Sequence, residues 1–437
     1  MIAFAAGAWH VAVRSDMNSQ SQPFPVAGPA SSTEPRALRL AVLGHVKDGG
    51  GSVSSAHFQL CQALLEDGHE LDLYAVPSFV PDPGYDSLRF HYVPVSVVTR
   101  IEGDFRFLPS NLRVFVHRMA GRSRGRRFCK HAMTEARSRH ALEPYDAILF
   151  LGRPPQATIA EIPTVVWPQG APQNELEAIR GLAKPITRVA GRSAYLQARL
   201  YYEVKDRFVW RWARRHRLVL ASNAARRQAV RFGVAPERVC VAPYPVDLAR
   251  FTPGSIPDGP VRQILCIGRL DPRKRVDLLV DAVAILASKR DDFRVDVIGR
   301  DGSLAGWSKF VENAGRSLPI TYGNAIPQAE ILERLHQADV VVQPSEREEF
   351  GSAVAEALAC GVPVVTGPTN GTSEYVPDDG SASFDRYEPD SLADALERAL
   401  ALSRHPAARS ACRAAAQLFA ADRVAATIVK FIREIPC

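Results

Sequence analysis

Hydrophobic positions along the chain follow two rhythms: short apolar runs of strand length, and longer stretches where apolar residues recur at helical spacing. The first run, residues 38–43, enters a glycine-rich turn at 44–51, and helical spacing follows over 54–67 until Gly68 stops it. Residues 70–76 resume as a strand, so the opening reads as a βαβ unit. More strands are predicted at 146–151, 164–167 and 218–222. Residues 239–253 lead out of this pattern, and a Pro/Gly-rich stretch to Pro260 reads as a linker. After Gln263 strands and helices alternate again through Val364, with an amphipathic helix at 390–402 and closing helices over 406–435. The pattern is α/β and doubly wound, repeated twice.

At 437 residues the chain is too long for one ordinary core, which agrees with two domains. The boundaries read as a disordered leader at 1–35, rich in Ser, Gln and Pro, with Met17 as an alternative start, then a first Rossmann-like domain at 36–247 and the linker at 248–260. A second Rossmann-like domain follows at 261–405, then closing helices at 406–437. Seven scattered cysteines without C-x-x-C spacing read as buried thiols in a reducing compartment. No window is apolar over the ~20 residues needed to span a bilayer.

Charge is unevenly placed. The net charge is +7, but residues 101–140 and 176–217 together carry +15 and the remainder −8. In the second stretch Leu196, Leu200, Val204, Phe208 and Trp212 recur every four residues amid Arg199, Lys205, Arg207, Arg211, Arg214 and Arg215. This is an amphipathic basic helix. Such a stripe more often packs against its own domain, and contact with an anionic membrane surface is the other expectation. Nucleic-acid binding through the basic stretches is a further reading, though it leaves the acidic and glycine motifs of the second half unexplained.

Those motifs begin with residues 344–365, Pro-Ser-Glu-Arg-Glu-Glu-Phe-Gly-Ser-Ala-Val-Ala-Glu-Ala-Leu-Ala-Cys-Gly-Val-Pro-Val-Val. Glu348 and Glu356 stand eight residues apart around Gly351, where a Cβ would obstruct a turn into a small-residue helix ending at Gly361. Amide groups at such a helix start attract phosphate. Glu348 can accept hydrogen bonds from sugar hydroxyls and Glu356 can chelate a ribose diol, while Glu346 and Glu349 read as solvent-facing. Upstream, residues 266–277 run Cys-Ile-Gly-Arg-Leu-Asp-Pro-Arg-Lys-Arg-Val-Asp, a strand, a basic loop and a helix start. Residues 297–302, Val-Ile-Gly-Arg-Asp-Gly, form another strand and glycine turn.

In their order and spacing these segments, covering residues 263–400, resemble the family-4 retaining glycosyltransferases of the GT-B fold, two Rossmann-like domains with a donor cleft between them. The resemblance implies that Arg269 and Lys274 grip a donor diphosphate and, with Glu348, carry the catalytic step. It implies donor contacts from Gly268, Arg300, Phe350, Gly351, Ser352, Ala353, Glu356 and Glu374, and places Gly50 and Gly51 under the donor sugar. Base selection is expected near Arg300 and residues 322–325. Gln169 stands where relatives often carry a His, and it cannot move a proton, so His45 is a candidate substitute. Tyr244-Pro245 replaces the usual Asn-Gly before Val-Asp.

The implied function is transfer of a hexose from a UDP- or GDP-linked sugar to a glycan or lipid-linked acceptor in cell-surface polysaccharide or glycolipid synthesis. The location implied is the cytoplasm, with the inner face of the membrane as a peripheral site. A GT-B sugar-nucleotide epimerase and a non-catalytic sugar-nucleotide-binding protein are the alternatives. The chain has no D-x-D, so neither a metal nor a cofactor is expected, the nucleotide sugar being a substrate.

Overall fold

The computed structural model describes residues 36–44, 46, 52–75, 89–92, 110–152, 157–168, 170, 172–302, 304 and 306–435. The predicted leader, His45, Gly50, Gly51 and Gln169 lie outside these.

Seven parallel strands make the first sheet: β1 (Arg39–Gly44), β2 (Glu70–Ala75), β3 (Arg89–Tyr92), β4 (Ala147–Gly152), β5 (Thr164–Pro168), β6 (Arg217–Leu220) and β7 (Val239–Val241). Their spatial order is β3-β2-β1-β4-β5-β6-β7. Every residue of β4 is buried, which is why it reads as an unbroken apolar run: a parallel strand covered on both faces has no polar side to show. Six parallel strands form the second sheet, β8 (Arg262–Ile267), β9 (Phe293–Ile298), β10 (Ile320–Gly323), β11 (Val340–Gln343), β12 (Val364–Thr366) and β13 (Ala382–Ser383). Here the order is β10-β9-β8-β11-β12-β13. In both sheets the order reverses beside the first strand, the place where doubly wound folds open a crevice at the strand carboxyl ends.

Both sheets belong to one compact unit, residues 37–437. One apolar cluster runs through it, from Leu40 and Leu60 beside the first sheet to Val341 and Leu358 beside the second. At its centre Phe350 packs edge-on against Tyr244, Tyr375 and Phe419, with ring centroids 5.3, 6.4 and 5.6 Å away. Helix Ala421–Arg433 packs on helix Ser52–Glu66, bringing Val424, Ile428 and Ile432 into the same core as Leu60 and Leu64. The chain passing between the sheets is strapped by Arg413, which donates to the carbonyl oxygens of Phe251, Ala359 and Leu248 at 2.7, 2.7 and 3.1 Å.

The basic helix, Ala183–Ala213, bends at Gly191, whose φ of +84° is a conformation that side-chain-bearing residues rarely adopt. Its two ends belong to different cores. Ile186 joins the cluster behind the second sheet and Trp210 the cluster behind the first. The segment between has no sheet of its own to cover, and Leu196, Leu200, Val204 and Phe208 are exposed. The sequence expectation that this stripe packs against its own domain is therefore corrected: only Trp212 is half-buried, beside the first-sheet core.

Candidate donor cleft

A cleft of about 810 Å³ lies at the carboxyl ends of β8 and β11. From β8 the chain runs through Gly268, Arg269 and Asp271 into the tight turn Pro272–Lys274, then into helix Val276–Ala287. From β11 it runs through residues 344–350 into helix Ser352–Ala359. The two loops are joined: the amide of Glu346 donates to the carbonyl oxygen of Arg273 at 2.8 Å, and Arg275 pairs with Glu346 at 2.8 Å.

Glu348 sits at the meeting point of these loops. Its Oε2 accepts from Lys274 Nζ at 2.5 Å and from Arg273 Nη1 at 2.9 Å. Burial would raise this carboxyl, but the two cations outweigh burial and hold it at about 2. It is therefore ionised at neutral pH. Arg273 reaches further, its Nε pairing at 3.0 Å with Glu175 on helix Pro172–Gly181, which follows β5 of the other sheet. Arg347 makes a parallel link from its Nε to Glu177 Oε2 at 2.8 Å. Among the described residues Arg269 makes one ion pair, 3.3 Å from Asp271, and it is nearly half exposed where it lines the cleft.

Glu356 lines the cleft from the second turn of its helix and is buried. Here burial dominates; it pushes the carboxyl up to about 7, with Arg250 pulling weakly the other way. Two acids of one motif thus hold opposite protonation preferences. Their difference comes from partners: two close cations for Glu348, and among the described residues only the weaker pull of Arg250 for Glu356.

Gly351 is fixed by space. A Cβ there would come within 1.9 Å of Gln343 Oε1, itself held by Asn370 Nδ2 at 3.0 Å. The φ of −90° is ordinary, so the constraint is the close approach of the helix start to β11.

Of the residues named from sequence, Gly268, Arg269, Lys274, Arg300, Glu348, Phe350, Ser352, Ala353 and Glu356 all line this cleft. Gly351 lies between two of them. The Phe350 ring itself is buried in the aromatic core, which leaves mainly its backbone for the cleft. Glu374 is elsewhere: its oxygens accept from the amides of Asn223 and Ala224 at 2.8 and 2.7 Å, capping helix Asn223–Arg231. Glu346 and Glu349 are not solvent-facing as expected. Glu346 is tied to Arg275, and Glu349 is buried at the cleft wall. Ile326 and Pro327 line the cleft with Arg300, whereas Tyr322, expected with residues 322–325 near the base, turns its hydroxyl to the carbonyl oxygen of Val311 at 3.2 Å.

Sequence reading missed Arg273, although it adjoins Lys274, because the motif names a single Lys. It also missed Tyr202 and Lys205, which line the cleft from the basic helix, where nothing local marks them. The Tyr244-Pro245 departure has a structural account. Tyr244 donates to the carbonyl oxygen of Pro168 at 3.1 Å and packs between Trp167 and Phe350, so it joins the end of β5 to the second-sheet loop.

Residues 254–418 match the family model described as glycosyl transferases group 1. This stretch, within the second half of the chain, is therefore similar to the group 1 glycosyl transferases. A relative named D-inositol 3-phosphate glycosyltransferase, from Paenarthrobacter aurescens (strain TC1), is 35% identical over 182 residues, 38% of this chain and 44% of that protein. One of the same name from Kineococcus radiotolerans is 35% identical over 38% of this chain and 43% of its own. The chain thus matches less than half the length of these curated relatives. Solved structures extend the likeness of fold to the first half. Sucrose-phosphate synthase from Thermosynechococcus elongatus covers 91% of this chain and 98% of its own with a TM-score of 0.63 at 18% identity. Anabaena HepE, solved in complex with UDP and glucose, covers 91% and 100% with a TM-score of 0.59 at 16% identity. The two sheets share the GT-B fold, as the sequence resemblance implied.

Proposed function

We propose that the protein is a retaining glycosyltransferase that moves a hexose from a UDP- or GDP-linked sugar to a glycan or lipid-linked acceptor. The observation that carries this reading is the Arg273–Glu348–Lys274 cluster facing Glu356 across one cleft in a group 1 domain. When the bond between the anomeric carbon and the diphosphate oxygen breaks, negative charge gathers on the phosphate. Arg269 and Lys274 face that charge, and Arg273 stands behind them. Glu348 holds the two cations in place before the donor arrives, so little reorganisation is needed at the reacting moment. Its Oε2 stays with these cations, and Oε1 accepts from sugar hydroxyls. Glu356 takes the ribose diol.

The acceptor hydroxyl attacks from the face the phosphate leaves, its oxygen bonds to the anomeric carbon, and its proton passes to the departing phosphate oxygen. No protein nucleophile enters, and charge neutralisation by three cations supports a step without a divalent metal. A role in cell-surface polysaccharide or glycolipid synthesis at the cytoplasmic face fits this substrate class.

Thermal stability with UDP, GDP, ADP, dTDP and their sugar conjugates, on wild type and Lys274→Ala, tests the donor site. A ligand at a hundred times its dissociation constant adds ~2.7 kcal/mol. Selective stabilisation by one base, lost in the variant, is expected, and transfer to an acceptor rather than an altered free sugar nucleotide separates a transferase from an epimerase. No stabilisation by any of these would sink the proposal.

A further inference from the structure

We infer that the outer face of helix Ala183–Ala213 docks on an anionic lipid bilayer. Leu196, Leu200, Val204 and Phe208 are 48, 63, 43 and 67% exposed, and four-residue spacing sets them on one stripe. Outside this helix, only Leu142 and Val230 are exposed large hydrophobic residues among the described residues. A contiguous apolar row on a surface signals a partner. The helix cannot cover it internally, because its ends are anchored in two different cores and its opposite side carries the cleft residues Tyr202 and Lys205.

Charge around the stripe decides among partners. Arg207 and Arg211 lie on or beside it and are exposed, and neither forms an ion pair among the described residues. The helix's acids leave little free negative charge there: Asp206 is buried, and Glu203 is engaged by Arg180 and Arg199 at 2.8 and 2.9 Å. A second copy of this chain meeting the same face through a two-fold axis would set arginine against arginine. An anionic surface with an apolar interior satisfies both features, the leucines and phenylalanine entering the acyl boundary while arginines stay with the headgroups. No described helix is long and apolar enough to cross a membrane, so the contact would be lateral.

This inference does not depend on the transferase reading, and its test needs no turnover. The full chain is sedimented with vesicles of phosphatidylcholine alone and of phosphatidylcholine mixed with phosphatidylglycerol, as wild type, as Leu200→Gln/Phe208→Gln and as Arg207→Gln/Arg211→Gln. Glutamine keeps the helix propensity. Wild type should sediment with the mixed vesicles only, with each double variant binding about tenfold or more weakly. Raised salt should weaken the wild type further. Equal binding to neutral vesicles, or variants that bind like wild type, would overturn the inference. So would a dimer, formed without lipid, that Leu200→Gln/Phe208→Gln dissolves.

Discussion

Replacing Glu356 with Gln should stabilise the ligand-free protein at high pH while weakening its hold on nucleotide. Burial lifts this carboxyl from 4.5 to about 7, and each unit corresponds to ~1.4 kcal/mol, so keeping it ionised in the empty cleft costs about 3 kcal/mol. The sign follows from which state binds the proton more tightly. The folded state does, so the group's contribution to stability is fully present below the unfolded value of 4.5, declines between, and is gone above about 7. A Gln variant does not titrate. Its melting temperature relative to wild type should therefore climb between pH 5 and pH 8, by several degrees. Nucleotide binding at pH 8 should move the opposite way. Losing a charged acceptor of two ribose hydroxyls costs ~1.5–3 kcal/mol, roughly a ten- to hundredfold loss of affinity. Wild-type affinity should also fall below about pH 7, as the carboxylate becomes protonated. Melting curves and calorimetric titrations across this pH range measure both effects. A stability difference that stays flat with pH, or nucleotide binding unchanged in the variant, would refute the assignment of Glu356 as a buried, donor-facing carboxylate.

Arg273→Met should destabilise the fold by about 3 kcal/mol at pH 7, read by urea denaturation, because it strips a buried carboxylate of one of its two cations. Since Glu348 is held at about 2, its contribution in wild type is present above 4.5 and is lost as pH falls toward 2; the variant should lose stability at a higher pH. Gly351→Ala should cost about 1–3 kcal/mol and reduce nucleotide affinity together, since the new Cβ must displace Gln343. Glu374→Ala should lower stability by about 1–2 kcal/mol through loss of its cap, with nucleotide affinity unchanged; a large loss of affinity would return this acid to the donor pocket.

Much of the second half was legible because its chemistry is local in sequence. A strand, a basic loop and a helix start occupy the same dozen residues whether read as letters or seen in space, and Glu348 and Glu356 stand in one short segment, the loop after β11 and the helix that follows it. Contacts between distant segments were not legible. Arg273 reaches Glu175 across nearly a hundred residues, and Glu374 serves a helix on the other sheet, so neighbouring letters could not reveal either partner. Glu349 likewise lies beside Gly170, far back in the chain, where a Cβ would stand 3.4 Å from its Oε2, and it shares the cleft wall with Tyr244. The exposure of the 196–208 stripe escaped for a different reason. Periodicity reports that a helix has an apolar face, but what lies opposite that face depends on where both helix ends are anchored.

Helix Ala421–Arg433 completes a core that opens with Leu38, nearly four hundred residues earlier. During synthesis the first sheet and helix Ser52–Glu66 emerge long before Val424, Ile428 and Ile432 exist to cover them. At ~5–20 residues per second the uncovered surface persists for tens of seconds. The growing chain must spend that interval with Leu60 and Leu64 lacking their native cover, a window in which a chaperone has a defined surface to hold. A stop codon that removes only the final helix would then leave a protein with an intact donor cleft sequence and an unsealed first half, failing in the cell through aggregation rather than through chemistry.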